Sequence, residues 1–249
     1  MEIAAWAGYG AISPFIGIGG SGGLPAVPLR AGDPDTVAMA RALSATGVVI
    51  NNADGFALYD DVPMEELRRG VALMSEMGAG AIVTLQFDSD EARGFDRFCQ
   101  LRDWATEAGL TLLLEFTPLS RIAGLGDAIA YHARAGGANI ALLVDLLHLH
   151  RSGGTPADLA AIDPALIQGA QLCDGPLHAT PEEYAERALC ERMIPGEGGP
   201  PVRDFLAALP PDLIFGIEVP LRTLEQAGEG HLARAQRLMA ATRALLVEA

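Results

Sequence analysis

Short apolar runs alternate with amphipathic segments along the whole chain. In the amphipathic segments apolar residues recur at three- and four-residue spacing, which predicts helices, whereas a short, almost continuous apolar run is typical of a strand buried on both faces. The predicted strands are residues 11–18, 47–52, 81–87, 110–116, 139–146, 166–173 and 213–219. The predicted helices are residues 34–45, 64–77, 91–108, 122–135, 181–192 and 230–247. This alternation indicates repeated βα units, in either an open doubly wound sheet or a closed parallel barrel.

A glycine-rich segment follows the first predicted strand. Gly17, Gly19 and Gly22 satisfy the G-x-G-x-x-G pattern of dinucleotide-binding proteins, in which a helix with its N-terminus at the phosphates comes next. Here another glycine and two prolines, ending at Pro28, occupy the place where that helix would begin. We therefore expect a loop, and no dinucleotide site, after this strand. The same glycine and proline content, with Glu2 in place of basic residues, argues against a signal peptide or a membrane span.

Composition narrows the class of protein. The chain has 249 residues, half of them apolar, which is enough for one large core, so we expect a single domain over residues 1–249. Its net charge of −15 would repel nucleic acid and anionic lipid, and the expected partner is therefore a small molecule. All 17 basic residues are arginine, and without lysine no Schiff base can form. The three cysteines are widely spaced, which fits a reducing cytoplasm.

Polar side chains stand at the ends of four otherwise apolar strands. Glu115, Asp145 and Glu218 each end such a run, and Gln171 does so on a fourth strand. A buried carboxylate needs a cationic partner, which in this chain means an arginine or a metal ion. In a parallel barrel the carboxyl ends of the strands surround the ligand-binding mouth, so these side chains would converge. Oxygen donors favour Mg²⁺ or Mn²⁺; the alternative is that they cap helices or bind loop amides.

Five motifs carry a family resemblance. They are LLLEFTP around Glu115, LLVDLLHLHRSGG around Asp145 and His148, AQLCDGP around Gln171 and Asp174, RMIPGEG at 192–198, and FGIEVP around Glu218. Together they resemble the xylose-isomerase-like TIM barrels, a superfamily of sugar-phosphate isomerases and epimerases, inosose isomerases and dehydratases, and 3-dehydroshikimate dehydratases. The resemblance implies a TIM-type (β/α) barrel of the xylose-isomerase-like kind. It also implies that a divalent metal ion is held by four of these side chains, Glu115, Asp145, Gln171 and Glu218.

The sequence departs from the family pattern in two places. Epimerases of this group have histidine at the third ligand position, whereas Gln171 resembles the 3-dehydroshikimate dehydratases and favours dehydration. Those dehydratases also place a histidine in the loop after the first ligand, where residues 117–126 offer only Arg121. At the amino terminus, residues 1–10 resemble the end of the family's first helix, and its first strand is absent. Either the barrel has seven strands or a stretch upstream is missing, and a homodimer could cover the open edge.

Four further residues are candidates for substrate contact. The resemblance gives His148 this role, with an imidazole able to move protons, although a structural place beside the metal is an equal alternative. Arg151 could neutralise a substrate carboxylate or pair with a carboxylate on a helix. Arg192 and Glu197 lie in the penultimate loop, where they could contact substrate or remain as solvated charges.

The predicted reaction is metal-assisted proton abstraction next to a carbonyl, on a small sugar-like, hydroxy-ketone or keto-acid substrate. Glu115 or Glu218 is the expected base, and the other glutamate or His148 returns or donates a proton. Isomerisation, epimerisation and dehydration all remain open, in a cytoplasmic enzyme of carbohydrate metabolism. The alternatives are a non-catalytic barrel subunit that binds a small polar ligand, and a metal-dependent endonuclease, which would need more histidines and a basic groove.

Overall fold

The computed structural model describes residues 1–16 and 29–247. The glycine-rich motif, the loop expected there and the last two residues of the first predicted strand lie outside these ranges.

Helices follow strands throughout the described part of the chain. The strands are β1 (Ala11–Ile12), β2 (Val49–Ile50), β3 (Asn52–Ala53), β4 (Ala81–Thr84), β5 (Thr111–Glu115), β6 (Ile140–Asp145), β7 (Ile167–Leu172) and β8 (Phe215–Ile217). The helices are α1 (Glu2–Ala7), α2 (Pro34–Thr46), α3 (Met64–Glu76), α4 (Glu91–Glu107), α5 (Leu125–Arg134), α6 (Leu146–Arg151), α7 (Pro156–Ala160), α8 (Pro181–Cys190), α9 (Val202–Ala208), α10 (Arg222–Gln226) and α11 (His231–Val247). A 3₁₀ turn, Pro164–Leu166, precedes β7.

The strand order decides between the two predicted architectures. Strands β3 to β8 are parallel and pair in sequence order, and β1 pairs with β2 in the same sense. Only Asn51 separates β2 from β3, so the two together occupy the place of the second predicted strand. A doubly wound sheet reverses its strand order at a switch point, whereas a barrel does not. The observed order is therefore that of a (β/α) barrel, and each of the seven predicted strands coincides with an observed one.

The sequence prediction missed the short helices. Leu146 begins α6 and is not the end of a strand, because the Asp145 carboxylate directly before it accepts the backbone N–H of His148 and starts a helical turn. Helices α7, α9 and α10 were not predicted, since segments of five to seven residues are too short to show a helical period. Helix α5 begins at Leu125, three residues later than predicted.

Alternate residues of the strands face the inside of the barrel. A layer of apolar side chains, Ala81, Val83, Leu113, Ala141 and Leu143, forms a cluster separate from the larger core between sheet and helices. Gly169 completes this layer, since a Cβ there would lie 3.0 Å from Leu113 Cδ1 and 3.2 Å from Leu143 Cγ. The layer closes the barrel below its carboxyl end.

The register of the paired strands places the four predicted ligands on the inner face of the barrel, the face that carries the apolar layer. Glu115 pairs with Leu143, which belongs to the inner layer, and Asp145 lies two residues further along the same strand. Asp145 pairs with Gln171, which in turn pairs with Gly216, two residues before Glu218. Because side chains alternate with a period of two, all four point into the mouth above the apolar layer.

The barrel is open between its first and last strands. Within residues 1–16 and 29–247, β8 pairs only with β7 and β1 only with β2. Helix α1 packs on α11, and the Tyr9 hydroxyl donates to the carbonyl oxygen of Ala235 at 3.1 Å. This arrangement agrees with the prediction that the family's first strand is absent from the chain as given. In the described ranges, no helix is long and apolar enough to cross a membrane.

Candidate active site

A buried arginine lies among the strand-end carboxylates. Arg192 Nη1 is 2.6 Å from Asp145 Oδ2, and Nη2 is 3.3 Å from Glu218 Oε1. Nη1 also donates to the carbonyl oxygen of Glu218 at 3.2 Å, while Nε donates to that of Ala188 at 3.0 Å. The Arg192 side chain is only 2 % exposed. The guanidinium therefore links the ends of β6 and β8 from inside the barrel mouth, instead of standing in the penultimate loop as a free contact.

The backbone of Arg192 is held on both sides. Its N–H donates to the carbonyl oxygen of Pro220 at 3.0 Å, and the N–H of Met193 donates to that of Asp174 at 2.9 Å. The segment carrying Arg192 is thus hydrogen-bonded to the segments that follow β7 and β8.

His148 links Glu115 to a buried tyrosine. The imidazole Nε2 lies 3.5 Å from Glu115 Oε1, and Nδ1 shares a hydrogen bond of 2.8 Å with the Tyr184 hydroxyl. That hydroxyl also lies 2.6 Å from Thr117 Oγ1. Tyr184 and Thr117 were not singled out from the sequence. The amphipathic period of α8 marks Tyr184 as an inward-facing position, but nothing local predicts which polar group its hydroxyl meets.

Gln171 has an unsatisfied buried oxygen. Its Oε1 has no hydrogen-bond partner in the part of the chain that the structure describes, and the residue is 6 % exposed. An unpaired polar atom in such a place costs about 1–3 kcal/mol. Since Gln171 lies next to Asp145 in the sheet, this oxygen is available to a cation or a ligand donor at the mouth.

Charge crowding controls protonation of the carboxyls. Burial, followed by the carboxylates of Glu218, Asp54 and Asp145, raises the pKa of Glu115 well above its ordinary value. Burial also raises the pKa of Glu218, although its side chain is 43 % exposed and Arg192 opposes the shift. Burial acts to raise the pKa of Asp145 too, but there Arg192 prevails and holds it below its ordinary value. One arginine thus faces four carboxyl groups, Glu115, Asp145, Glu218 and Asp54, and it lowers the pKa below the ordinary value only for Asp145.

The imidazole of His148 is neutral at physiological pH. Burial lowers its pKa to about 4, with Asp145 opposing this effect and Arg192 adding to it. A neutral imidazole can accept a proton at one nitrogen and donate one at the other, which suits it to proton transfer.

A fourth carboxyl group, missed from the sequence, joins the site from β3. Burial, followed by the Glu218 carboxylate, raises the pKa of Asp54 well above its ordinary value. Asp54 Oδ2 accepts from Asn52 Nδ2 at 3.4 Å, and Asn52 Oδ1 accepts from the Ser13 hydroxyl at 3.0 Å. The rule that singled out Glu115, a carboxylate that ends an apolar run, does not find Asp54, because Asn51 and Asn52 interrupt the run before it.

Asp174 organises the loop that follows Arg192. Its Oδ1 accepts the N–H of Gly175 at 2.8 Å, and its Oδ2 accepts those of Gly196 and Gly198 at 2.9 Å each. A Cβ on Gly198 would lie 2.0 Å from Asp174 Oδ1, so only glycine fits there. Glu197, between these two glycines, is exposed. The structure places it near Asp174 and brings it to none of the predicted ligands.

Arg151 braces the loop after β7. Its guanidinium donates to the carbonyl oxygens of Pro176 and Leu177, the latter at 3.2 Å. Within the described ranges it pairs with no carboxylate, so the ion pair offered as an alternative from the sequence is replaced by backbone contacts.

The predicted metal ligands form a donor set of the right chemistry. Across residues 1–16 and 29–247, no group of three or more His, Cys, Asp or Glu side chains stands ready to hold a metal ion. Two of the four predicted ligands, Asp145 and Glu218, are paired with Arg192 instead. The buried, partnerless oxygen of Gln171 and the excess of carboxylates over arginine nevertheless fit a cation. Metal binding therefore stays a prediction.

A cavity lies apart from the four predicted ligands. It measures about 510 Å³ and is lined by Gln86, Asp88, Arg121 and Tyr131, among others, between the loops after β4 and β5 and helix α5. Gln86 Nε2 donates to the Tyr131 hydroxyl at 3.1 Å, so this strand-end amide points away from the mouth. None of the four predicted ligands lines this cavity.

Comparison with solved structures identifies the fold. No protein-family model matches the chain, and no curated protein matches it in sequence. Matching solved structures are xylose isomerase-like TIM barrels, and this chain has their fold. An IolI protein with a bound zinc atom is 15 % identical, with a TM-score of 0.73, and the match covers 99 % of this chain and 90 % of that one.

The names of two further matching structures state an enzyme activity. The probable 3-DHS dehydratase AsbF from Bacillus anthracis is 13 % identical, with a TM-score of 0.73 and coverage of 98 % of this chain and 91 % of that one. An L-ribulose 3-epimerase is 17 % identical, with a TM-score of 0.66 and coverage of 100 % and 91 %. At these identities the likeness establishes the fold, and the activity has to be argued from the site.

Proposed function

We propose that this protein is an isomerase, epimerase or dehydratase that abstracts a proton next to a carbonyl in a small sugar-like, hydroxy-ketone or keto-acid substrate. The observation that carries the proposal is the contact between Glu115, a buried carboxyl of raised pKa, and the neutral imidazole of His148 at the barrel mouth. Two of the proteins of this fold named above are a probable dehydratase and an epimerase, which supports this range of reactions.

Glu115 is the proposed base. A general base works best when its pKa lies near the working pH, and burial among other carboxylates moves the pKa of Glu115 in that direction. His148 Nε2, 3.5 Å from Glu115 Oε1, is placed to take up or return a proton. Glu218 is more exposed and lies across the mouth, so it is the second candidate for proton transfer.

Tyr184 orients the imidazole. Its hydroxyl engages Nδ1, which leaves Nε2 on the side of Glu115. Thr117 holds that hydroxyl from the loop after β5. The tyrosine is therefore proposed as a positioning residue for His148.

Four side chains, Glu115, Asp145, Gln171 and Glu218, would hold the divalent cation. When bound, the cation supplies positive charge that stabilises the negative oxygen formed as the proton leaves the neighbouring carbon. Gln171 in the third position favours dehydration, in which a β-hydroxyl is expelled, over return of the proton to carbon. Among the four residues predicted to contact substrate, His148 keeps that role here. Arg192 is engaged by Asp145 and Glu218, and Arg151 and Glu197 stand on the surrounding loops.

The test is proton exchange in D₂O. Protein loaded with Mn²⁺ is incubated with hydroxy-ketones, sugars and 3-dehydroshikimate, and NMR follows deuterium uptake or loss of water. We expect turnover of at least one substrate, abolished by EDTA and by Glu115→Gln but not by Glu107→Gln, a matched change at an exposed position at the end of α4. Turnover unchanged in Glu115→Gln would refute this assignment of the base. Absence of turnover with every substrate would favour the non-catalytic ligand-binding barrel.

A further inference from the structure

The guanidinium of Arg192 engages two of the four proposed metal ligands. It binds Asp145 Oδ2 at 2.6 Å and Glu218 Oε1 at 3.3 Å, while its Nε is held by the carbonyl oxygen of Ala188. With a side chain 2 % exposed, it is a fixed internal cation at the place where the sequence predicts a metal ion.

Both carboxylate oxygens of Asp145 already accept a hydrogen bond in this arrangement. Its Oδ1 accepts the backbone N–H of His148 at 2.9 Å, and its Oδ2 accepts from Arg192. The thiol of Cys173 lies 3.5 Å and 3.6 Å from the two oxygens. A metal ion at Asp145 would meet an oxygen already used by a positive group, and two cations on one carboxylate repel each other.

The other two proposed ligands remain outside this ion pair. Gln171 Oε1 has no partner among the described residues, and Glu115 meets His148 and not the arginine. The donor set is thus divided between an arginine-bound half and an open half. Its carboxylates also exceed its one arginine in charge, since Asp54 faces the same site.

We propose that Arg192 and a divalent cation compete for Asp145 and Glu218, so that the cation completes its ligand set only when the guanidinium releases both carboxylates. This inference rests on the metal site of the proposed function. It adds a role for Arg192, which would set the affinity of the site for the metal ion. If Arg192 competes with the cation, removing the guanidinium should strengthen metal binding. If Arg192 instead holds the ligands in place, removing it should weaken metal binding.

The experiment is a Mn²⁺ titration of metal-free protein, read by calorimetry and by the loss of the free-Mn²⁺ electron paramagnetic resonance signal. For Arg192→Gln we expect a Kd about tenfold lower than that of wild type, which corresponds to about 1.4 kcal/mol. Arg192→Lys should lie between the two, because a compact ammonium cannot bridge both carboxylates. Arg237→Gln, which removes the same charge from an exposed ion pair, should match wild type.

A second measurement covers the risk that Arg192→Gln is unstable without metal. In thermal melts, Mn²⁺ should raise the Tm of Arg192→Gln and of Arg192→Lys by more than it raises that of wild type. Gln171→Ala should weaken Mn²⁺ binding in both the wild-type and the Arg192→Lys backgrounds, which places the ion at this site.

The outcomes separate the inference from the proposal beneath it. Equal or weaker Mn²⁺ binding in both Arg192 variants overturns the competition but leaves the metal site standing. Mn²⁺ binding that Gln171→Ala does not alter places the ion elsewhere and overturns the competition as well. No binding by any of these proteins overturns both the competition and the metal part of the proposed function.

Discussion

Replacing Asp174 by alanine tests whether one buried carboxylate holds the loop that carries Arg192. The substitution removes the acceptor of three backbone N–H groups, those of Gly175, Gly196 and Gly198, at 2.8–2.9 Å. Asp174 is fully buried, so water does not reach its carboxylate in the folded protein.

The expected loss follows from these three contacts. Gly175 is buried, so its unpaired N–H costs about 1–3 kcal/mol, whereas Gly196 and Gly198 are exposed and each lose a hydrogen bond worth about 0.5–1.5 kcal/mol. The sum is roughly 2–6 kcal/mol, and we expect about 3 kcal/mol, towards its low end. Burial also raises the pKa of Asp174 against the opposing effect of the three N–H groups, so removing the carboxyl recovers some desolvation energy, which is why the low end applies. For a domain of this size, a loss of 3 kcal/mol lowers the Tm by roughly 6–12 °C.

Urea denaturation followed by circular dichroism measures this loss, with an unchanged m-value showing that the denatured state is not affected. Asp90→Ala is the matched control, because it removes an exposed carboxylate that caps α4 and accepts a single N–H, that of Arg93, at 3.0 Å. The control should lose about 1 kcal/mol. If Asp174→Ala loses no more than this control, solvent satisfies the loop amides and the reasoning is wrong.

Three further predictions concern the proton relay, pH and backbone geometry. Tyr184→Phe should lower kcat for the proposed exchange by about tenfold, because His148 loses a hydrogen bond worth roughly 1–2 kcal/mol. The Kd for Mn²⁺ should stay unchanged. An equal fall in Mn²⁺ affinity would show a structural role instead. Asp88→Asn should cost roughly 3 kcal/mol at pH 7, because it breaks the ion pairs of this buried carboxyl with Arg93 and Arg97. The hydrogen bond from Arg93 lowers the pKa of Asp88 well below 3.8, so in denaturation curves the difference from wild type should shrink as the pH falls below that value. A constant difference across pH would contradict this. Gly55→Ala should lower the free energy of unfolding by more than about 2 kcal/mol, because φ at Gly55 is +102° and the new Cβ would lie 1.9 Å from the carbonyl oxygen of Ile16. Urea denaturation measures this loss, and an unchanged free energy would show that the backbone shifts to make room.

Local sequence was enough to predict the strands and the polar residues at their ends. Strands β4 to β7 are almost entirely buried, which produces apolar runs that few helices share, and a polar residue at the end of such a run stands out. Placing Glu115, Asp145, Gln171 and Glu218 on one face also required the parallel barrel and its strand register, which the structure provides.

The parts that sequence could not predict are contacts between distant segments. Arg192 meets Asp145 across 47 positions of the chain, and Tyr184 meets His148 across 36. A long side chain in a loop gives no periodic signal of its direction. The sequence therefore predicted an arginine or a metal ion beside the carboxylates without identifying Arg192, which was expected to contact substrate or remain solvated. Leu146 was assigned to a strand for a related reason, because the apolar run continues unbroken from β6 into α6.

The backbone contacts on either side of Arg192 determine how a buried cation could be exchanged here. Because that backbone is tied to the segments after β7 and β8, the guanidinium can withdraw only by rotation about its own side-chain bonds. Rotamer changes in exposed side chains take picoseconds to nanoseconds, whereas lid opening takes microseconds or longer. The almost complete burial of Arg192 slows its rotamer change. Metal uptake would then depend on a rotamer change of one side chain, Arg192, while the surrounding backbone keeps its position.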